Sequence, residues 1–448
     1  MKKLRLACIP LLLASPLATH AAGFDCAKAS SAVEKTICAS PRVSALDGTL
    51  GQAFTAAIKN HPDKAAILKL DQQHWLGERD DDAWSYLSSG LTKELPATLA
   101  ASYQRRIDFL KGLDAPSIPK PLDVVVNALA SSPSASASNG DLLESLAKSG
   151  APITLARDVE MGDPAKFRLH PDAKLAADMK DMGDGITDRE LAGSPVSSMY
   201  TIQGTAHCWD EVAYRIEGKN AVSLDGPPVW GEGDCMSAHP LAKIGDAVTA
   251  ISMTAGQSVN VLISASTWDG KRFGAESSMQ LRFNRVLSLT GSACAPKQSP
   301  CDDFGKVALA AATRYDRRPL PGVLDRPLVG TAKVAYDAAL AVARGKGGIA
   351  SADSADSSVD LPDFGTDVAS SNMSGYGKEA TTFPIEFRGE TLVGLIGHGH
   401  VGWRDGDDWM VSAWRLKDGT LEPVASAYVA LKRGELLLSA VMPVAVER

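Results

Sequence analysis

The chain has 448 residues, of which 45% are hydrophobic and 22% charged, and its formal net charge is −7. This length exceeds what one compact core holds and predicts two or three domains. The acidic balance argues against a nucleic-acid partner, because such proteins need a basic surface. After residue 22 no apolar run approaches the ~18 residues of a membrane span, so we expect no membrane-spanning segment.

The first residues have the pattern of a secretory signal. Lys2, Lys3 and Arg5 precede an apolar run, and small residues occupy positions 19 and 21. This pattern predicts a cleaved signal peptide over residues 1–21 and a mature protein that is periplasmic or secreted. Its removal takes away basic residues only, which leaves the mature chain more acidic.

Cysteine usage agrees with export. An even number of cysteines in an exported chain predicts disulfide bonds rather than free thiols. Short sequence separation favours pairing each cysteine with its neighbour in the chain, and a zinc site is the alternative, although no pair has CxxC spacing. The cysteines of the mature chain are Cys26, Cys38, Cys208, Cys235, Cys294 and Cys301.

Residues 22–113 have helical periodicity. Ser31 and Glu34 fit a capping box that begins a short helix. A second helix is predicted from Pro41 to before Pro62, a third includes Trp75, and a fourth ends at Gly112. The pattern predicts a small helical bundle in which a Cys26–Cys38 disulfide would fix the entering chain.

The order of residues in this bundle resembles a known family. The motifs are Phe24-Asp25-Cys26 with Val33-Glu34-Lys35 and Cys38, then Leu46-Asp47, Gln73-His74-Trp75-Leu76 with Arg79-Asp80, and Tyr103 with Arg106-Ile107. Over residues 24–113 the chain resembles the LprI-like lysozyme-inhibitor family. Members usually carry a second cysteine pair, and Asp81-Asp82 stand where one of those cysteines would lie.

The resemblance implies an exported helical module that acts on a protein partner, lysozyme, by protein–protein contact. The family-motif residues are Glu34, Asp47, Trp75 and Arg79. Caps, core contacts and ion pairs also need these residue types, so a purely structural role is the alternative for each of them. The module has equal numbers of acidic and basic residues, so its overall charge offers little attraction to a basic partner.

Residues 114–150 are rich in proline and serine and predict a linker that ends in a short helix over about residues 141–148. From about residue 196 the hydrophobic period changes to two, which predicts antiparallel strands. We expect a β-rich domain with two disulfides over 151–318 and a second β-rich block over 319–448, either separate or part of the same domain. Helices are predicted near 303–315 and 331–344. The predicted strands cover 200–207, 212–217, 247–253, 259–267, 279–289, 383–387, 391–397, 409–416, 423–431 and 435–445.

The fold class predicted for the whole chain is α+β and multidomain, with a disulfide-linked helical bundle followed by a sandwich-like antiparallel region. We predict no catalytic residues, no cofactor and no bound metal, with His398 and His400 as weak metal candidates because alternation on a strand would give them one face. Trp403, Trp409 and Trp414 could form a carbohydrate-stacking surface. The function predicted is therefore an exported binding protein rather than an enzyme. The alternative is an envelope hydrolase, or a binding protein for cell-wall carbohydrate, with its site in the C-terminal β-rich region.

Overall fold

A computed structural model describes residues 23–88, 90–137, 142–183, 185–203, 208–230, 240–254, 259–294, 299–316, 373–374, 381–401, 404–417 and 420–443. The predicted signal peptide and the predicted helix at 331–344 lie outside these residues. The α+β class is confirmed. Among the described helices, none is both long enough and apolar enough to cross a membrane.

The described α-helices are α1 (Ala32–Ala39), α2 (Pro41–Asn60), α3 (Ala65–Ser88), α4 (Leu95–Gly112), α5 (Leu122–Ser131), α6 (Leu142–Lys148), α7 (Ala173–Met182) and α8 (Asp302–Asp316). The described strands are β1 (Ile153–Leu155), β2 (Arg157–Gly162), β3 (His170–Pro171), β4 (Ile186–Glu190), β5 (Val196–Gln203), β6 (Cys208–Glu217), β7 (Asn220–Ser223), β8 (Leu241–Ile244), β9 (Ala247–Thr254), β10 (Asn260–Thr267), β11 (Ser277–Cys294), β12 (Ser299–Pro300), β13 (Met373–Ser374), β14 (Thr381–Phe387), β15 (Glu390–Val401), β16 (Arg404–Lys417) and β17 (Thr420–Met442).

Helices α1 to α4 form the helical module (residues 23–113), and local signals set where they begin. The Ser31 hydroxyl accepts the Glu34 N–H while the Glu34 carboxylate accepts the Ser31 N–H, a complete capping box. Ser40 caps α2, and Pro41 occupies its first turn, where the missing N–H costs nothing. The Cys26–Cys38 disulfide joins the entering chain to the end of α1.

The described strands form two mainly antiparallel sheets. Within the described residues, the large sheet has eleven strands in the order β1-β8-β9-β10-β11-β17-β16-β15-β13, with β12 paired to β11 and β14 paired to β15. The described part of the small sheet has six strands in the order β2-β4-β5-β6-β7-β3, and of these pairs β3–β7 is the parallel one. The long pairing of β11 with β17 places strands from the two predicted β-rich blocks in the same sheet.

One predicted boundary within β17 is wrong. The sequence suggested separate strands over 423–431 and 435–445, with Arg433-Gly434 between them, whereas β17 runs unbroken from Thr420 to Met442. Register shifts in the β11–β17 pairing occur opposite this point, next to Arg282 and Phe283. Bulges of this kind let a strand bend without ending, so the irregularity does not form a turn.

The segment 114–150, for which a linker was expected, contributes to the core. Leu122, Val125 and Leu129 of α5 and Leu142 of α6 are buried against β9, β10 and β11. Ser136 in the serine-rich run is also buried and donates its hydroxyl to the Pro133 carbonyl. The apolar residues interspersed among the prolines and serines therefore pack as short helices over one face of the large sheet.

The helical module packs on the opposite face of the large sheet. Leu438 and Ala440 of β17 belong to the same buried cluster as Leu99, Tyr103 and Leu110. The end of α4 approaches the sheet so closely that a Cβ on Gly112 would overlap the carbonyl of Val441. Glycine at this position is thus required by the close approach of helix and strand.

Candidate functional site

The family-motif residues Asp47, Trp75 and Arg79 meet in the core of the helical module, around Tyr103. The Tyr103 hydroxyl donates to Asp47 Oδ1 at 2.8 Å and accepts from Arg79 Nη1 at 2.8 Å. The rings of Trp75 and Tyr103 make an edge-to-face contact with centroids 5.2 Å apart. This arrangement connects α2, α3 and α4 through one polar network with an aromatic lining.

Other hydrogen-bonding groups of Arg79 and Asp47 also find partners within the module. Arg79 donates from Nε and Nη2 to Asp80 at 2.8 and 2.6 Å, and Asp47 Oδ2 accepts the Gly23 N–H at 2.7 Å. Burial and the Asp47 charge raise the pKa of Tyr103, although Arg79 opposes them, so the phenol stays protonated and able to donate. These side chains therefore hold the helices together and do not present a reactive group.

Glu34 lies at the start of α1 and interacts with that network through the charge of Arg79, the smallest of the influences on its pKa. Its carboxylate accepts the backbone N–H groups of Ser31 and Ser30, and these bonds lower the pKa of Glu34. Its role in the structure is to cap the helix.

A second polar group, the docking cluster, joins the helical module to the large sheet. Asp71 of α3 accepts from Arg106 of α4 and from Arg282 of β11, both at 2.6 Å. Arg282 also donates to both oxygens of Glu78 at 3.1 and 3.2 Å, and Arg285 lies 3.8 Å from Glu78. Asp71 and Glu78 are seven positions apart, which places both on one face of α3.

The docking cluster is largely buried from solvent. The side chains of Asp71, Arg106 and Arg282 are 5%, 2% and 3% exposed. Burial alone would raise the pKa of Asp71, but Arg282 and Arg106 outweigh it and hold the pKa below its ordinary value. Both carboxylates therefore remain charged, because Arg282 likewise lowers the pKa of Glu78 against the effect of burial.

The small sheet carries a cleft of about 750 Å³, here called the small-sheet cleft. Its floor consists of the buried Asp188, Ser197 and Tyr214, one from each of β4, β5 and β6. Its apolar walls include Met161, Phe167 and Leu169, and its charged rim consists of the exposed residues Arg157, Glu160, Lys166, Arg168 and Glu190.

Alternation along the three strands assembles this floor. Ile186, Asp188 and Glu190 occupy one face of β4, while Thr187 and Arg189 occupy the other. The Tyr214 hydroxyl donates to Asp188 Oδ1 at 2.7 Å. Burial raises the pKa of Asp188, the Tyr214 hydrogen bond opposes this, and the Glu190 charge adds to the rise. Asp188 is thus a nearly buried carboxyl group facing a cleft, and such groups are typical of functional sites.

The opposite face of the small sheet holds another ionic group, around Arg189. Arg189 donates to Asp158 at 2.9 Å and to Glu211 at 3.1 Å, and its guanidinium lies 4.4 Å from the ring centroid of Tyr200. Burial raises the pKa of Glu211 to about 7, although Arg189 and Ser198 lower it. This face packs on the large sheet through a shared apolar cluster that includes Ala213 and Leu241, so the group lies beside an internal junction.

The other predicted residues have different outcomes. The structure contains the Cys294–Cys301 disulfide, whereas the side chain of Cys208 and all of Cys235 lie outside the described residues, so their pairing stays a prediction. Backbone positions place His398 opposite Trp409 and His400 opposite Ser374, and the two histidine side chains are outside the described part.

The proposed stacking surface receives no support from Trp414. This side chain is 1% exposed, and its indole N–H donates to Ser412, so its face is not offered to a sugar. Trp403 lies outside the described residues, as does the side chain of Trp409. Two disulfides among the described residues are consistent with an exported protein.

Sequence reasoning missed Asp71 and Arg282, and it interpreted Asp188 as part of a solvated acidic loop, whereas the structure buries Asp188 in a strand. This short strand, β4, was not predicted, because its segment Ile186–Glu190 contains a single apolar residue and no apolar/polar alternation. Asp71 and Arg282 are 211 positions apart, and no local pattern links them. Comparison with known proteins found no matching family model, no matching curated protein and no matching solved structure.

Proposed function

We propose that this chain is an exported binding protein that acts through its helical module by protein–protein contact, with lysozyme as the partner. The observation that supports the proposal is the assembly of Asp47, Trp75, Arg79 and Tyr103 into one connected network. These are the positions on which the resemblance to LprI-like inhibitors depends. Their internal pairing gives a rigid helical framework, and a rigid surface loses little entropy on binding.

The contact surface in this proposal is the outer side of α1 and α2. The face of α3 and α4 that carries Asp71 and Arg106 is covered by the large sheet and is not accessible. Lys35, Arg42 and Gln52 are exposed on α1 and α2. Because the module has no net charge, the contact would depend on shape and hydrogen bonding more than on long-range attraction.

The acidic run over residues 78–82 within α3 is not the source of attraction in this proposal, because two of its carboxylates are paired internally. Glu78 binds Arg282, and Asp80 binds Arg79. A basic partner would therefore meet little free negative charge from these two side chains. This distinguishes the proposal from a simple electrostatic capture of a basic enzyme.

The test is lysozyme turnover of a bacterial cell-wall suspension with the mature protein (residues 22–448) added. We expect stoichiometric inhibition. Gln52→Arg, which places a bulky cation on the outer side of α2, should relieve it, whereas the matched change Asn220→Arg on the small sheet should not. Full lysozyme activity at micromolar excess of the mature protein would remove lysozyme from the proposal, and equal effects of the two variants would remove the α1–α2 surface.

A further inference from the structure

We propose that the small-sheet cleft binds a short free peptide, with the peptide's amino-terminal ammonium group on Asp188 and its carboxylate end toward Lys166 and Arg168. The cleft belongs to the small sheet and not to the helical module. The inference is therefore independent of the proposed contact with lysozyme, and each can fail without the other.

The floor of the cleft favours a ligand group that is cationic and donates hydrogen bonds. Asp188 is 9% exposed, and within the described part of the chain no lysine or arginine forms an ion pair with it. The donors to its carboxyl group are the Tyr214 hydroxyl and the Arg189 backbone N–H, both neutral. A carboxylate in this position is poorly compensated, so a ligand that supplies an ammonium group gains a charge-assisted hydrogen bond out of water.

The aromatic lining favours the same group. Phe167 and Tyr214 both line the cleft and meet edge to face, with ring centroids 5.6 Å apart. Aromatic rings beside a carboxylate attract ammonium groups through the negative faces of the rings. An anionic ligand group would instead meet a buried carboxylate at the floor, which is strongly unfavourable.

The size and walls of the cleft indicate a peptide rather than a small amine. Its volume of about 750 Å³ lies within the range of clefts that hold drug-sized ligands. Met161 and Leu169 provide apolar wall area for side chains. A simple amine would leave most of this apolar surface in contact with water.

Basic side chains at the rim of the cleft complement the charge of the peptide's carboxylate end. Arg157 pairs with Glu190 at 3.2 Å, while Lys166 and Arg168 form no ion pair within the described part of the chain. Glu160 shares the rim, so its charge partly offsets theirs. Because charges at an exposed rim contribute little, we expect the floor contact to determine most of the affinity.

The experiment is isothermal titration calorimetry of the mature protein with the tripeptide Ala-Leu-Ala, its N-acetylated form and its C-terminal amide. We expect the free tripeptide to bind and N-acetylation to weaken binding by about 30-fold or more, as loss of a buried charge partner does. The amide should bind only a few-fold more weakly. Equal binding of the amide and the free peptide would overturn the role of the rim and assign the cleft to the amino terminus of a longer chain.

Two variants identify the residue responsible. Asp188→Asn should abolish the advantage of the free peptide over its acetylated form, and Asp181→Asn, an exposed change on α7, should preserve it. Melting curves establish that each variant is folded, and if Asp188→Asn does not fold, the comparison of free and acetylated peptide on the unmodified protein decides alone. Equal binding of the two peptides, or no binding of the free peptide at millimolar concentration, would overturn the proposal.

Discussion

Replacing Arg282 with methionine should weaken the attachment of the helical module to the large sheet. The change keeps an unbranched stem of similar length but removes the guanidinium that contacts Asp71 at 2.6 Å and Glu78 at 3.1 and 3.2 Å. Among the described residues, Asp71 would keep Arg106, and Glu78 would keep the longer contact with Arg285. Removing one partner of a buried ion pair typically costs about 3–5 kcal/mol.

We expect a value near the lower end of that range. Asp71 retains a buried arginine, and Glu78 is 30% exposed, so water can partly replace the lost partner. The destabilisation of Arg282→Met should therefore be about 3 kcal/mol. Urea unfolding monitored by circular dichroism measures it, because helices α1 to α4 contribute most of the described helical residues. Loss of the helical signal should precede the global transition as the module detaches first.

The matched control is Arg388→Met. Arg388 pairs with Asp303, but the two side chains are 61% and 51% exposed, so this change should cost less than about 1 kcal/mol. Arg282 holds the pKa of Asp71 below its ordinary value. A carboxyl group whose pKa is lower in the folded than in the unfolded protein stabilises the fold at pH values above its unfolded-state pKa. This stabilisation is lost as the pH falls through its folded-state pKa. The difference between the unmodified protein and Arg282→Met should thus shrink in acid. Equal midpoints for the two methionine variants at neutral pH would refute the reasoning.

Three further changes give distinct outcomes. Gly112→Ala should destabilise the protein because the new Cβ would overlap the Val441 carbonyl, whereas Gly51→Ala in the exposed part of α2 places a Cβ with nothing within 4 Å and should stabilise the protein by up to about 1 kcal/mol. Chemical denaturation compares the two variants. A change of the same sign for both would contradict the close approach of α4 to β17. Tyr103→Phe removes the hydroxyl that bridges an acid and a guanidinium, so it should cost about 1–3 kcal/mol by the same measurement, and a neutral result would argue against a structural role. Burial raises the pKa of Glu211 to about 7, so the folded state binds the proton of this carboxyl group more tightly than the unfolded state does. The free energy of unfolding should therefore fall by about 2–3 kcal/mol as the pH rises from about 4.5 to about 7. Melting temperatures across this pH range should show a slope that Glu211→Gln lacks.

The sequence determined the local elements of the helical module. Ser31, Glu34 and the Ser40-Pro41 pair start helices through hydrogen bonds that span at most one turn, so neighbouring residues are enough to predict them. The Cys26–Cys38 disulfide also closes a short loop, and short sequence separation made it the favoured pairing. Period-two alternation of apolar and polar residues likewise predicted β10 and most of β11, although the structure buries residues on both faces of these strands.

The tertiary structure decided what those elements pack against. The apolar residues of 114–150 gave no sign that α5 and α6 would cover the large sheet, and two separate strands, 423–431 and 435–445, were predicted where β17 continues through a bulge. The floor of the small-sheet cleft needs Asp188 and Tyr214 from strands whose pairing order is a property of the whole sheet.

The docking cluster shows most directly why these contacts could not be predicted from the sequence. Asp71 and Arg282 have no feature in sequence that marks them as partners across 211 positions, because a charged residue on a helix is usually solvated. In the folded chain the β11–β17 pairing and the packing of the module on that face bring the two side chains together out of contact with solvent. Local hydrogen bonding and hydrophobic period thus specify the pieces of this protein, while long-range register and desolvation, which exist only in the folded chain, specify its docking cluster and its cleft.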